Sequence, residues 1–439
     1  MRKVLVIGMG KSGKAAYRFL VIQGHQPVGV DDNLNLLNKL REEGLQVSES
    51  PDVSEFDEIV LSPGVPLTNK WYLDAKQLGK DIIGEVELGL RDLKNSSKQT
   101  SQTIIGITGT NGKTTVTLLI EHILKFSGKK ARALGNIGTP FTEYCLNRDP
   151  EEIIVAELSS YQLETLTSKV LDVGIILNIT PDHLDRYQSL EEYATAKSLI
   201  QTCLTSEAKL YINSQVLKDF GHLFKGKCRT FGSFSGSFLW TDGDIVKELN
   251  KFEFSWPEKF IRVGIHDSEN ALAAWAVCRE LGVQKETFLQ ALTTFQKPAH
   301  RIEFVKEFRG VTYFNDSKGT NLDATLKAVS AMPGSVILIA GGVDKGSSYK
   351  VWKETFIGKV RLIFAIGQAA EKIKQELLSD ISVHVVSSLE EAVQKAEECA
   401  RSGEAVLLSP GCASFDMFRD YAHRGEEFKR YVQRVTIKE

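Results

Sequence analysis

The stretch I-I-G-I-T-G-T-N-G-K-T-T, residues 104–115, decides the fold of the central part of the chain. A β-branched segment leads into clustered glycines, and Lys113-Thr114 then opens the apolar run 116–126, which is the order of a phosphate-binding loop. The glycines let successive N–H groups point at phosphate oxygens near the positive end of a helix. We therefore expect Lys113 to neutralise the terminal phosphates of a nucleotide and Thr114 to hold Mg2+.

This loop departs from the general pattern at one position. The pattern has a glycine five residues before Gly112, but that residue is Ile107, and Gly106 lies one residue too early. The departure favours a specialised subfamily over a generic nucleotide hydrolase. A glycine-rich turn that binds nothing is the alternative.

Composition limits the classes of function. A chain of 439 residues predicts about three domains, and 42% hydrophobic with 25% charged residues is ordinary for a globular protein. The formal charge of −2 gives no basic surface for nucleic acid or acidic lipid, and no apolar run is long enough to span a membrane. The six cysteines are scattered without a C-x-x-C pair, which predicts reduced thiols. We expect a cytoplasmic monomer that acts on small molecules.

A second glycine-rich turn lies near the start of the chain. Residues 4–7 predict a strand, Gly8-Met9-Gly10-Lys11-Ser12-Gly13 a tight turn, and the following residues a helix and a strand that ends in Asp31-Asp32. This pattern predicts a diphosphate at the helix N-terminus and an acidic side chain near a ribose. It does not specify a nicotinamide cofactor, and a turn that binds nothing remains the alternative.

Two further segments complete the first part of the chain. The strand 58–61 runs into Ser62-Pro63-Gly64-Val65-Pro66, a stiff turn at a strand's carboxyl end, where open α/β sheets place ligands. A plain rigid loop is an equally open interpretation of this turn. Residues 94–103 are polar and lack apolar anchors, so they predict a linker between domains.

Strand ends in the central part carry candidate metal ligands. The strand 153–156 is followed by Glu157, whose carboxylate could share Mg2+ with the hydroxyl of Thr114, or could be an ordinary strand-end group. The strand 173–179 runs toward His183, which Asp182 and Asp185 flank. A ligand and a structural histidine are both open interpretations of His183.

Lys197 falls on the apolar face of a helix that a capping box opens at residue 189. That face contains Leu190, Tyr193, Ile200 and Leu204. Lys197 could extend its amine to water, or its buried neutral amine could react with CO2 to form a metal-binding carbamate. Asn270 could cap a helix over 271–281 or belong to the site.

The last part of the chain alternates strands and helices again, so it predicts a further α/β sheet. Its predicted strands are 311–314, 336–339, 362–366, 383–386 and 405–408. Polar clusters follow at 315–321, 341–345 and 409–416. Because they would converge on one edge of the sheet, they predict a site for a small anionic substrate.

Five motifs occur in one order along the chain: G-T-N-G-K-T-T, E-L-S-S-Y-Q-L, N-I-T-P-D-H-L-D-R, A-H-R-I-E and N-D-S-K-G-T-N. In these motifs the whole chain resembles the Mur ligase family of ATP-dependent amide-forming enzymes. Within that family, D-S-K-G-T-N and the closing L-S-P-G-C-A-S-F-D resemble the members that add D-glutamate to UDP-N-acetylmuramoyl-L-alanine. The resemblance also accounts for Ile107 in the phosphate loop.

The resemblance implies a fold and a set of site residues. It implies an α/β protein with a Rossmann-like domain over 1–95 that binds the UDP substrate, a central P-loop domain over 96–297, and a Rossmann-like domain over 298–439 that binds the amino acid. The implied catalytic residues are Lys113, Glu157, His183 and Lys197, and the implied ligands of two Mg2+ ions are Thr114, Glu157, His183 and carbamylated Lys197. The implied ATP residues are Gly109, Thr110, Asn111, Gly112, Lys113, Thr114, Thr115, Asn270, Arg301 and Asp316.

Two more residue sets follow from the resemblance. Those implied for the UDP substrate are Gly10, Lys11, Ser12, Gly13, Asp31, Ser62, Pro63, Gly64, Asn136 and His183. Those implied for D-glutamate are Lys318, Thr320, Lys345, Ser414, Phe415 and Tyr421; the family tends to an aromatic residue other than tyrosine at position 421.

The implied reaction transfers the γ-phosphoryl group of ATP to a carboxylate, and the amine of D-glutamate then attacks the acyl phosphate. Another Mur-type ligase and a folylpolyglutamate synthase are alternatives of the same class. An NAD-dependent oxidoreductase would explain residues 8–13 but not 109–115. A nucleotide switch without catalysis would not need three polar clusters in the last domain.

Overall fold

The computed structural model describes residues 1–95, 102–183, 186–242, 244–249, 251–260 and 265–437. Most of the predicted linker 94–103 lies outside the described residues, as does Asp185. Within the described residues the chain forms three sheets, each combined with helices, which confirms the predicted α/β class.

The first sheet is parallel, and its inner strands are continuous apolar runs, as expected where helices cover both faces. Its strands are β1 (Lys3–Ile7), β2 (Gln26–Val30), β3 (Glu58–Leu61) and β4 (Asp81–Gly84), in the order β2-β1-β3-β4. Its helices are α1 (Lys11–Ile22), α2 (Leu34–Glu42), α3 (Lys70–Gln77) and α4 (Glu85–Asn95). Alternate residues of β1 enter separate apolar clusters on the two faces.

In the second sheet β5 lies between β8 and β7. Its strands are β5 (Ile104–Thr108), β6 (Ala131–Gly135), β7 (Ile153–Glu157), β8 (Leu171–Ile176), β9 (Leu204–Asn213), β10 (Arg229–Gly232), β11 (Leu239–Thr241), β12 (Ile245–Glu248) and β13 (Lys251–Ser255), in the order β13-β12-β11-β10-β9-β8-β5-β7-β6. The helices are α5 (Lys113–Phe126), α6 (Phe141–Leu146), α7 (Ser160–Leu163), α8 (Leu190–Ser198), α9 (Ser214–Phe220), α10 (Ile265–Glu280) and α11 (Lys285–Thr294). Strands β5 to β9 are parallel, so their carboxyl ends share one edge.

The third sheet is parallel except for β14, which pairs antiparallel with β15. Its strands are β14 (Glu303–Phe308), β15 (Val311–Asn315), β16 (Val336–Gly341), β17 (Val360–Ile366), β18 (Ser382–Val385) and β19 (Ala405–Leu408), in the order β14-β15-β19-β16-β17-β18. The helices are α12 (Leu322–Ala331), α13 (Lys353–Phe356), α14 (Ala370–Leu377), α15 (Leu389–Cys399) and α16 (Tyr421–Val435). Apolar clusters lie on both faces of this sheet as well.

The chain divides into two compact units. The first contains Met1–Asn178, Glu191–Phe260 and Glu269–Phe295, and therefore holds the first two sheets. The second contains Ile179–Leu190, Ile261–Ser268 and Gln296–Glu439, and holds the third sheet. The domain limits at residues 95 and 297 stay predictions.

Two buried carboxylates of α4 join the first and second sheets inside the first unit. Glu87 accepts hydrogen bonds from the amides of Thr167 and Ser168, both at 3.0 Å, and from their hydroxyls at 2.9 and 2.8 Å. Glu85 accepts two more, each 2.6 Å long, from the amide and hydroxyl of Thr142. Burial raises the pKa of Glu85 to about 6. These bonds fix the position of α4 against the second sheet.

The structure corrects several sequence-based expectations. Helix α8 ends at Ser198, and Leu204 begins β9, so the predicted apolar face does not extend to Leu204. Helix α10 begins at Ile265, which places Asn270 inside the helix, so the capping interpretation of Asn270 is wrong. Strand β8 ends at Ile176 instead of residue 179. No helix in the described part of the chain is long and apolar enough to cross a lipid bilayer.

Candidate active site

The phosphate loop lies between β5 and α5, as the sequence predicts. Gly112 precedes α5 with a φ of 87°, a left-handed conformation that strains any residue with a side chain. A Cβ at this position would also lie 2.6 Å from Oδ1 of Asn270. The turn from strand to helix therefore needs glycine here, and Asn270 of the predicted ATP set lies directly against the loop.

Lys113 bends back over the loop that precedes it. Its Nζ donates to the carbonyl of Gly109 at 2.7 Å and to that of Thr110 at 2.8 Å. The ammonium group thus lies at the positive end of α5, next to the loop amides, where a phosphate would meet both. Thr114 follows in the first turn of α5 and is buried.

Asn178, which follows the neighbouring strand β8, forms hydrogen bonds to the phosphate loop. The sequence did not indicate this residue. Its side chain accepts from the amide of Asn111 at 2.8 Å and donates to the carbonyl of Asn111 at 2.9 Å. Its own carbonyl accepts from the amide of Thr110 at 2.8 Å. Asn178 follows β8, which pairs with β5, so the rule that ligand sites lie at carboxyl strand ends could have found it.

Glu157, at the end of β7, is 2% exposed. Its Oε1 accepts from Nδ2 of Asn136 at 2.9 Å, whereas Oε2 is buried and has no hydrogen-bond partner among the described residues. A buried carboxylate oxygen without a donor is the group that a divalent cation binds. The carboxylate of Glu157 therefore suits Mg2+, and Thr114, buried in the first turn of α5, stays the predicted second ligand. The described residues contain no group of three or more His, Cys, Asp or Glu that could hold a metal.

Asn136 lies beside Glu157. It does not line the cleft of the first sheet, to which the UDP-substrate prediction would assign it.

Lys197 is 1% exposed, so its amine does not extend to water. Its Nζ donates to the carbonyl of Gly109 at 2.9 Å and lies 4.5 Å from the ring centre of Tyr193. Lys113 and Lys197 thus share one carbonyl acceptor. Two ammonium groups this close repel each other, and a carbamate on Lys197 would replace the repulsion by attraction.

The first sheet carries a cleft of about 450 Å3 beside its glycine-rich turn. Of the residues predicted for the UDP substrate, Gly10, Lys11, Ser12, Asp31, Ser62, Pro63 and Gly64 line it. Asp31 accepts from the amide of Met9 at 2.7 Å, and the hydroxyl of Ser62 donates to the carbonyl of Gly8 at 2.6 Å. These bonds fix the turn whose helix N-terminus faces the cleft.

Gly13 does not line this cleft. A Cβ on Gly13 would lie 1.9 Å from the carbonyl oxygen of Gly8, so this glycine allows α1 to approach the turn. The sequence analysis missed three other lining residues, Asp32, Asn69 and Trp71. Asn69 donates to Asp32 at 3.2 Å, which ties the start of α3 to the end of β2.

The second unit contains His183, which has a φ of 56°. A positive φ is rare outside glycine and occurs often in functional loops. The amide of His183 donates to Asp182 at 2.9 Å. Asp182 also accepts from Nζ of Lys345 at 2.8 Å and from Nδ2 of Asn321 at 3.0 Å.

Asp182 is thus the centre of a buried network that the sequence did not predict. Burial acts to raise the pKa of Asp182, but Lys345 and His183 outweigh that effect and lower it. The network holds Lys345, a predicted D-glutamate residue, in a fixed position.

Asp316 of the predicted ATP set is buried at the end of β15. It accepts from the hydroxyl of Ser409 at 2.7 Å and the amide of Ile302 at 3.2 Å. Burial raises the pKa of Asp316 to about 7, while Ser409 and Arg301 act to lower it. These contacts give Asp316 a role in joining the loops that follow β15 and β19.

The remaining predicted D-glutamate residues are Lys318, Thr320, Ser414, Phe415 and Tyr421. Nζ of Lys318 lies 5.1 Å from the ring centre of Tyr421, so these two are neighbours. Ser414 is buried, whereas Phe415 is 73% exposed.

The residues predicted for ATP and for the metal ions are divided between the two units. Asn270, Glu157 and Lys197 belong to the first unit, and His183, Arg301 and Asp316 belong to the second.

Family models match three parts of the chain. They are "Mur ligase MurD-like, N-terminal domain" over residues 2–84, "Mur ligase middle domain" over 107–278, and "Mur ligase, glutamate ligase domain" over 300–412.

Curated relatives match almost the full length. The UDP-N-acetylmuramoylalanine--D-glutamate ligase of Protochlamydia amoebophila is 48% identical, and the alignment covers 98% of each chain. The protein of the same name from Caldicellulosiruptor bescii is 39% identical over 99% of this chain and 98% of its own. A crystal structure of UDP-N-acetylmuramate-alanine ligase from Thermotoga maritima shares the fold, with a TM-score of 0.62 and 17% identity over 99% of this chain and 100% of that one. The chain therefore belongs to the Mur ligase family.

Proposed function

We propose that this chain is an ATP-dependent ligase that adds D-glutamate to UDP-N-acetylmuramoyl-L-alanine in peptidoglycan precursor synthesis. Its relatives at 48% and 39% identity carry the name of that reaction over their full lengths. The observation that carries the proposal is the convergence of Lys113 and Lys197 on one loop carbonyl, in a chain where Glu157 keeps a buried oxygen without a donor. Such a site binds phosphates together with a cation.

The three predicted domains would divide the work. Residues 1–95 bind the uridine nucleotide in the cleft beside Asp31 and Ser62, 96–297 bind ATP, and 298–439 bind the amino acid. In this scheme His183 serves both the substrate and the metal. The substrates would all be small molecules. We also propose that the enzyme is a cytoplasmic monomer that binds neither nucleic acid nor a membrane. Its product would be a precursor of the cell wall, which is needed for cell shape and cell division.

The chemistry needs an activated carboxylate. A carboxylate is a poor electrophile, so the γ-phosphoryl group of ATP is transferred to the L-alanyl carboxylate to form an acyl phosphate. Lys113 spreads the charge that develops on the transferred group, and the loop amides orient it. The amine of D-glutamate attacks the acyl carbon, and the tetrahedral intermediate releases phosphate and leaves an amide.

Thr114 and Glu157 would hold one Mg2+ ion, and His183 with a carbamate on Lys197 would hold a second. Bound Mg2+ supplies Lewis-acid stabilisation of charged oxygens. The burial of Lys197 supports the carbamate, because an amine that is removed from water reacts more readily as the neutral form.

For the amino acid, Lys345 would hold one carboxylate of D-glutamate by charge. Ser414 and the neighbouring amides would hold the other. Lys318, Thr320, Phe415 and Tyr421 complete the proposed site. A diacid is selected when two anion sites lie at a fixed separation, since an amino acid with a neutral or basic side chain leaves one of them unpaired.

The test measures ADP release from ATP with UDP-N-acetylmuramoyl-L-alanine and a panel of amino acids. The panel contains D-glutamate, L-glutamate, L-lysine, meso-diaminopimelate and D-alanyl-D-alanine. We expect turnover with D-glutamate and almost none with the others. Equal turnover with another member would assign a different Mur-type acceptor, and turnover only with a folate acceptor would assign a folylpolyglutamate synthase. Loss of NADH absorbance without ADP release would assign an oxidoreductase.

A further inference from the structure

Arg424 is a buried cation in the first turn of α16. Arg424 is 1% exposed, and its side chain is among the largest fully buried side chains of the described residues. The sequence analysis gave it no role. Burial lowers the pKa of Arg424 to about 10, so the guanidinium remains charged at neutral pH.

The guanidinium joins the segments that follow two neighbouring strands. Its Nε donates to the hydroxyl of Ser317 at 3.0 Å, and its Nη2 donates to the carbonyl of Ser317 at 2.8 Å. Nη1 and Nη2 both donate to the carbonyl of Cys412 at 3.2 Å. Ser317 follows β15 and Cys412 follows β19, and these strands pair in parallel. Arg424 thus fixes the separation of the two segments.

All of these partners are neutral. Within the described residues no carboxylate forms an ion pair with Arg424, and its acceptors are carbonyls and a hydroxyl. The position of Arg424 in the first turn of α16 is also unfavourable for a cation, because the N-terminal end of the helix dipole is positive. The charges of Asp416 and Asp316 favour the charged guanidinium, but neither carboxylate pairs with it directly, and burial outweighs them and lowers the pKa. A role outside stability would explain its presence.

The contacts also set the direction of nearby amides. A trans peptide points its C=O and N–H in opposite directions. Because the carbonyl of Cys412 faces Arg424, the amide of Ala413 in the same peptide points away from it. Ser317 precedes Lys318, and Ala413 precedes Ser414, so the guanidinium anchors the two segments that carry these predicted D-glutamate residues.

We propose that Arg424 is a positioning residue for the amino-acid site: it fixes the separation of the Lys318 and Ser414 segments and supplies a buried positive charge that favours a dicarboxylate. This inference rests on the proposed D-glutamate site. Arg424 acts through the two segments and through its field, which falls slowly inside a protein of low dielectric constant.

The test compares Arg424→Met, Arg424→Lys and the parent enzyme. Arg430→Met is the matched control, since Arg430 lies on the same helix with an exposed side chain that pairs with Glu427. Each protein is assayed for kcat, for the KM of D-glutamate and ATP, and for the ratio of kcat/KM between D-glutamate and D-glutamine. Thermal unfolding monitors the fold.

For Arg424→Met we expect the KM of D-glutamate to rise at least about tenfold and the KM of ATP to change by less than about twofold. The preference for D-glutamate over D-glutamine should fall at least about fivefold, because a neutral side-chain amide gains nothing from the charge. Arg424→Lys should lie between Arg424→Met and the parent, because it keeps the charge but not the forked donors. Arg430→Met should match the parent.

An unchanged KM and preference for D-glutamate in a folded Arg424→Met protein would overturn the inference, as would equal rises in both KM values. If Arg424→Met does not fold, Arg424→Lys decides in the same way. A parent enzyme that releases no ADP with D-glutamate would defeat the proposed function instead.

Discussion

The two glycine-rich turns of the first unit, residues 8–13 and 106–112, differ in backbone conformation and in the side chains that surround them. Both connect a parallel strand to a helix. In the first turn, Gly10 precedes α1 with a φ of −68°, and the helix N-terminus opens on a cleft whose lining includes Asp31 and Ser62. In the second, Gly112 precedes α5 with a φ of 87°, and two lysine amines converge on the carbonyl of Gly109.

In the proposed function, this difference would separate substrate binding from catalysis. A helix N-terminus can hold a diphosphate that does not change during the reaction. Transfer of a phosphoryl group needs positive charge where negative charge develops, and in the second turn the ammonium group of Lys113 lies at the start of α5, whereas Lys197 is proposed to act as a carbamate that holds Mg2+. We therefore expect substitutions in the first turn to alter stability and substrate affinity, and those in the second to alter turnover.

The largest effect is expected at Lys113. Lys113→Ala should lower kcat at least about a hundredfold, about 3 kcal/mol, because it removes a cation from the transferred phosphoryl group. The assay is ADP release, with circular dichroism as the check on folding. Lys11→Ala is the matched control, since Lys11 lies in the first turn and its amine donates to the carbonyl of Gly138. Its effect should be confined to the KM of the UDP substrate. Near-normal turnover in folded Lys113→Ala would contradict the ATP assignment.

Lys197 should give the next largest loss. Lys197→Ala should lower kcat about a hundredfold, and Lys197→Arg should not restore it, since a guanidinium cannot bind Mg2+. If the active form is a carbamate, short carboxylates such as acetate or propionate should partly restore turnover in Lys197→Ala. Rescue by Arg, or full activity in bicarbonate-depleted buffer after long dialysis, would contradict the carbamate.

In the first turn, Gly13→Ala should destabilise the protein by about 2 kcal/mol, because its Cβ would meet the carbonyl oxygen of Gly8. Urea unfolding measures this change. Gly10→Ala is the control, since a Cβ there has no atom within 4 Å. It should keep the stability of the parent but raise the KM of the UDP substrate. Equal stability of the two variants would show that α1 can move away from the turn.

The smallest effect is expected at Asn178. Asn178→Ala removes two hydrogen bonds to Asn111, so the KM of ATP should rise by about three- to tenfold, equivalent to about 1 kcal/mol. The KM of the UDP substrate should not change. Asn178→Asp keeps the acceptor for the amide of Asn111 but loses the donor, so it should be intermediate. A larger effect on the UDP substrate than on ATP would contradict the separation of the two turns.

The sequence could predict elements that have a strong local pattern. Strands β3 and β19 begin and end at the predicted residues, because each is a short apolar run bounded by turn residues. The predicted limits of an element were wrong where contacts with residues far along the chain determine where the element ends. Strand β8 ends early because residues 177 and 178 bond to the segment that contains the phosphate loop, and Leu204 leaves the predicted helical face because it pairs with Leu171 in the sheet.

The same limit applies to the site. The positions of Lys113 at the start of α5 and of Glu157 at the end of β7 could be predicted from the motif and the strand pattern, and their roles stay predictions. Asp182 and Arg424 could not be assigned their contacts, because Lys345 lies 163 residues from Asp182 and Ser317 lies 107 residues from Arg424. A single sequence does not contain the signal for such pairs. Asn136 is a further case, since the resemblance assigns it to the UDP substrate whereas the structure shows its side chain in contact with Glu157.

The hydrogen bonds of Glu87 have a consequence for inhibitor design. Because Glu87 accepts bonds from two amides and two hydroxyls of Thr167 and Ser168, the first and second sheets are joined within the folded chain. The distance between the cleft proposed for uridine and the phosphate loop is therefore set when the chain folds. A compound that tethers a uridine group to a triphosphate mimic would need one rigid linker of matching length, and most of the gain from the tether would come from that prior ordering.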